Sequence, residues 1–130
     1  MCFTLRKGVH KASIAKEDIV VFKGLKDIMG IIQSPYQYSR YTLGRTKTAT
    51  LQRTRAIGSI DHGLHSCKRY SDAQYHGHHV YMAIIPRGSY YYENPREYVS
   101  NKLKVIGRVD YSGKLLNPND GKRKKKVAVK

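Results

Sequence analysis

Residues 79–85 read HVYMAII and residues 18–23 read DIVVFK. Both runs are rich in β-branched and aromatic side chains and too short for a stable helix, so each is expected to be a buried strand. The first is closed by a turn at Pro86 and Gly88, and the second is expected to end at Gly24. A third strand is read at 102–109, where Leu103, Val105 and Gly107 alternate with Lys104, Ile106 and Arg108.

Working outward, residues 37–43 read as a further extended region that begins after Pro35. Residues 44–56 (GRTKTATLQRTRA) are Thr-rich and basic, which suits a mobile loop or an exposed edge strand. Residues 57–64 lead through a turn into a short strand at His65, Ser66 and Cys67. Ser71 stands at an N-cap with Asp72 in the first turn, and a helix of one or two turns should stop at Gly77. The sum is a small α+β domain, a mostly antiparallel β-sheet with one or two short helices, spanning 1–117. The remaining 118–130 form a basic tail expected to be disordered without a partner.

The chain has 130 residues and a formal charge of +16. Residues 118–130 hold six bases and one acid, which leaves +11 on the body. Between Asp27 and Asp61 there is no acid, while Arg40, Arg45, Lys47, Arg53 and Arg55 all fall in that interval. A basic stretch without acids is an electrostatic footprint for phosphates. The tail residues Lys122, Arg123, Lys124, Lys125 and Lys126 would add affinity that depends on salt and not on sequence.

Other classes are set aside. The N-terminus MCFTLRKGVHK has no apolar region of signal-peptide length, and no segment approaches the roughly 20 apolar residues of a membrane span. Cys2 and Cys67 are read as free thiols in a reducing cytoplasm, with no membrane partner. Nucleotide-loop, dinucleotide and serine-hydrolase fingerprints are absent.

Two constellations carry chemistry. His62, His65, His76, His78 and His79 cluster around Cys67, but their spacing matches no zinc knuckle and a strand puts His62 on the face opposite His65 and Cys67, so no metal is assigned. Eleven Tyr stand against two Phe. Tyr38 and Tyr41, interleaved with Arg40 and Arg45, could stack bases beside guanidinium groups that hold phosphates, or could simply pack their rings. Glu93 and Glu97, four apart, suit a loop followed by a strand.

The segments IVVFKGLK (19–26), SPYQYSRYTLG (34–44), IDHGLHSCKRYSDA (60–73), VYMAIIPRGSYYY (80–92) and EYVSNKLKVI (97–106) together resemble a group of small phage and prophage proteins. That resemblance implies a phage origin and a place in the host cytoplasm, and brings no activity. The same order is more distantly similar to the ADP-ribosyltransferase fold. The likeness implies that Lys23, before Gly24, stands where an NAD-binding Arg would be, that Ser66 with His65 stands in the serine motif, and that Glu97 supplies the catalytic acid. Lysine lacks the planar bidentate contact of arginine, and His65, Ser66 and Cys67 are not the Ser-Thr-Ser of the motif.

Two functions are therefore expected. The first is a phage accessory protein that binds a phosphate-bearing ligand, nucleic acid before free nucleotide, and needs no cofactor. The alternative is an ADP-ribosyltransferase-like enzyme, or a degenerate NAD- or nucleotide-binding relative, acting on host components such as a host protein.

Overall fold

The computed structural model describes residues 3–4, 12–34, 40–53, 59–76 and 79–117. Its elements in chain order are β1 (Phe3–Thr4), β2 (Ser13–Ile14), β3 (Ile19–Ile28), β4 (Ile31–Gln33), β5 (Arg40–Tyr41), β6 (Thr46–Thr48), β7 (Gln52–Arg53), β8 (Ser59–His62), β9 (Leu64–Cys67), α1 (Tyr70–His76), β10 (His79–Ile85), β11 (Tyr90–Glu93), β12 (Glu97–Ser100) and β13 (Lys102–Arg108). The domain is an antiparallel β-sheet structure with one short helix, as the strand patterns predict.

A ten-stranded sheet runs in the order β2, β11, β12, β9, β3, β10, β13, β6, with β4 attached to β3 and β5 to β4. A smaller sheet orders β1, β8 and β7. The centre is the pair β3 and β10, registered from Ile85 opposite Ile19 to His79 opposite Leu25. These are the two runs whose composition marks them as strands.

Alternation along the strands makes two faces. On the core face Val21, Leu25, Leu64, Tyr81, Ala83, Ile85, Leu103 and Val105 form one cluster. On the helix face Cys67, Ala73, Val80 and Val109 form a second, packed by Phe22, Tyr70 and Met82. Side chains such as Leu25, Ile85 and Leu103 are wholly buried, each contributing about 1.5–3 kcal/mol relative to exposure. Leu103, Val105 and Gly107 are buried and Lys102 and Arg108 exposed, as their alternation predicts.

Two boundaries differ from expectation. The first strand does not stop at Gly24: β3 continues to Ile28 because Leu25 extends the inward series of Val21 and Lys23, and Gly24 keeps a partner in Val80. The helix starts at Tyr70, so Ser71 lies inside its first turn and is not the cap, while Asp72 keeps its first-turn place. Tyr70 brings the start forward because its ring packs edge-on against Phe22, 6.4 Å between centroids. Of the region 44–56, Thr46–Thr48 is an edge strand on β13. Glu93 closes β11 and Glu97 opens β12.

Between β8 and β9 the chain passes Gly63 at φ +148, a conformation that L side chains rarely adopt. A Cβ there would lie 2.5 Å from Val99 Cγ2 and 2.7 Å from Leu51 Cδ2. Gly63→Ala should therefore cost about 2–4 kcal/mol from strain and overpacking together. Gly30→Ala, at φ +83 with nothing within 4 Å, should cost about 1 kcal/mol. Urea denaturation of both variants measures the contrast, and equal costs would contradict the packing described.

Candidate functional site

The sheet forks at β3. This strand is paired with β10 from Ile19 to Leu25, meets β9 at Phe22 opposite Cys67, and meets β4 from Lys26 to Ile28. Between those contacts the backbone of β9 parts from β3. Lys23 sits at the parting, buried at 7% exposure, and its Nζ donates a hydrogen bond to the backbone carbonyl of His65.

The registers carry a polar row across the core face on either side of this lysine. Tyr98 is opposite Ser66, and Tyr81 is opposite Lys23. Lys23 and Ser66 are the next residues past the Phe22 and Cys67 pair on their two strands. Apolar residues lie beside the row: Leu64 and Leu25 on one side, Val21 and Ala83 on the other. Ser66 is 2% exposed, and its hydroxyl has no hydrogen-bond partner among the described residues.

Tyr41 from β5 covers the lysine. Its ring centroid is 5.4 Å from Lys23 Nζ and 5.1 Å from Lys47 Nζ, so two ammonium groups face one aromatic ring. Lys47 also donates to the carbonyl of Arg40 at 2.7 Å. Such contacts are each worth about 0.5–2 kcal/mol, more when desolvated. Burial pushes the Tyr41 phenol above its ordinary range, so it stays neutral.

Burial lowers the Lys23 pKa to about 8, while Cys67 and Glu97 hold it up and Lys47 pushes it further down. Lys23 is thus mainly cationic at neutral pH. Burial and then Glu97 drive the Cys67 thiol up to about 12, against the opposing pull of Lys23. Cys67 is a free, buried thiol, and a protonated thiol offers neither a nucleophile nor a metal ligand at neutral pH.

The expected site residues separate. Lys23 and Ser66 come together on the core face. Glu97 is opposite Cys67 and His65 is opposite Val99, so both start from the helix face. Glu97 acts on Lys23 only through its charge, and His65 through its backbone carbonyl. Lys23 and Ser66 share the core face, whereas Glu97 starts from the opposite face of the sheet.

Arg40 and Arg45 are exposed on either side of Tyr41. Tyr41 itself is 7% exposed, so its ring packs over lysines and offers no open face to a base. Arg53 ends β7 opposite Ile60, in the smaller sheet. Tyr38, Arg55, Lys122, Arg123, Lys124, Lys125 and Lys126 lie outside the described residues. Among the described residues no three metal-ligating side chains converge, and no helix is long and apolar enough to cross a membrane.

Two cations escape a reading of the sequence. Lys102 is opposite Thr48 and Lys104 opposite Thr46, so both lysines share one face of the β6 edge with two threonine hydroxyls. The signal available for them was the acid-free interval between Glu97 and Asp110. No protein-family model, no curated protein and no solved structure matches the chain.

The buried lysine fixes a pH dependence. Its folded pKa lies below the unfolded value of 10.5, so between pH 8 and 10.5 the unfolded chain binds the extra proton and stability from this group rises with pH. Wild type should gain about 2–3 kcal/mol relative to Lys23→Met between pH 7 and pH 10. Urea denaturation at the two pH values reads it, and a difference that does not move with pH would show that Lys23 is not desolvated.

Proposed function

We propose that the protein binds a phosphate-bearing polyanion, nucleic acid before free nucleotide, along the β6 edge. One observation carries this reading: Arg40, Arg45, Lys47, Lys102 and Lys104 gather around β6, and the two sequence intervals that supply them contain no acid. Among the described residues the ion pair formed is Lys68 with Glu93, at 2.6 Å on a different part of the sheet. The cations of the edge are left for a partner.

The edge suits phosphates more than bases. β6 ends the sheet, with exposed Thr46 and Thr48 and no further strand on its outer side among the described residues. Lysine, arginine and threonine are phosphate contacts that position a nucleic acid without reading its sequence. The ring of Tyr41 braces Lys47 in place of stacking. Recognition of this kind depends on charge density and tolerates many sequences. The same charges discourage another strand from adding to the edge.

Affinity for duplex DNA, single-stranded DNA and RNA, measured from 50 to 300 mM salt, tests the proposal. The logarithm of the binding constant should fall linearly with the logarithm of salt, by about 0.9 per phosphate contact on a duplex. Replacing Arg40, Arg45, Lys102 and Lys104 together by Ala should reduce that slope by about 3 and weaken binding at least about tenfold. An affinity insensitive to salt, or a quadruple variant that binds like wild type, would remove the proposal.

A further inference from the structure

We propose that the fork in the sheet is a binding site for a single phosphate group, inorganic or at the end of a monoester, held by Lys23 and Ser66 beneath Tyr41. The site adjoins the β6 edge at Lys47, and its core residues Lys23 and Ser66 do not rest on nucleic-acid binding there.

The donors are already gathered. The carbonyl that Lys23 Nζ contacts belongs to His65, and the next nitrogen in the chain is that of Ser66. The ammonium is thus anchored one residue before Ser66 on β9, on the face that carries the serine side chain. An ammonium has three N–H donors. One of them goes to His65, which leaves donor capacity beside Tyr41 and Ser66. Lys47 Nζ stands on the same tyrosine ring, 5.1 Å from its centroid.

What the cluster lacks is an acceptor. Neither lysine has a carboxylate within ion-pair distance among the described residues, and the nearest acid acting on Lys23 is Glu97, by charge alone. The Ser66 hydroxyl, at 2% exposure, is without a partner among the described residues. Buried polar groups are almost always hydrogen-bonded, so an orphan calls for a partner such as a water or an ion. Two like charges at one ring beside an orphan hydroxyl select an anion. A phosphate satisfies several donors at once, with charge-assisted bonds to lysine and an oxygen free to accept from serine. Lys47 links this cluster to the surface, since it bonds the exposed Arg40 backbone and also lies at the Tyr41 ring that covers Lys23.

The test is isothermal titration of the full-length protein with inorganic phosphate, a nucleoside 5′-monophosphate and the matching unphosphorylated nucleoside, at ionic strength held constant with sodium chloride. Phosphate, the monophosphate or both should bind, the pattern telling free phosphate from a monoester, and the nucleoside should not. Ser66→Ala should weaken the phosphate-bearing ligand about tenfold, the loss of one good hydrogen bond, and Lys23→Met should abolish binding. The quadruple edge variant should bind phosphate like wild type, which separates failure of this site from failure of the β6 edge. Lack of phosphate binding by wild type, or undiminished binding by Ser66→Ala, would overturn the inference. Ser66→Ala removes one atom, so its result stands even if Lys23→Met fails to fold.

Discussion

The hydrogen bond from Lys23 to the His65 carbonyl is the contact on which the rest of this architecture turns. β3 must serve two branches of sheet, one through β9 and one through β4. Where they diverge, the Lys23 ammonium donates to the backbone carbonyl of His65. Burying it there desolvates a charge, which costs several kcal/mol unless compensated. The compensation comes from the Tyr41 ring and from the charge of Glu97 across the sheet. A lowered pKa is what remains after they act.

That arrangement ties the core to the basic edge. Tyr41 reaches the fork because β5 pairs with β4, and β4 is the branch that opens the fork. Lys47 reaches Tyr41 because β6 pairs with β13, putting Lys47 opposite Leu103 on the core face. Lys102 and Lys104 then fall on the other face by alternation. Part of the body charge is thus exposed at the sheet edge, while Lys23 is held inside.

The sequence made the strands legible where burial repeats with a fixed period. HVYMAII matches β10 residue for residue, and Leu103, Val105 and Gly107 point inward as their spacing demands. Gly24 misled because glycine often ends a strand; here the next inward residue, Leu25, outweighs it. The adjacency of Lys23 and Ser66 entered through a family likeness, and their shared face comes from a register between β3 and β9 that no local pattern encodes. The separation of Glu97 follows from a second register, between β9 and β12. The burial of Tyr41 was beyond reach for a similar reason. A two-residue strand has no period of its own, and its ring is covered by Lys23 of β3 and Lys47 of β6. Lys102 and Lys104 were visible as charges, but only the pairing with Thr48 and Thr46 places them beside Arg40, Arg45 and Lys47.

The central claim is that Lys23 is a desolvated cation at the fork of the sheet. Selective labelling of lysine side chains and an NMR titration of the Lys23 ε position measures this directly. The expected result is a midpoint near pH 8, below the ordinary lysine value of 10.5, and a shift of that resonance in Ser66→Ala. A Lys23 midpoint at the ordinary value would contradict a desolvated cation.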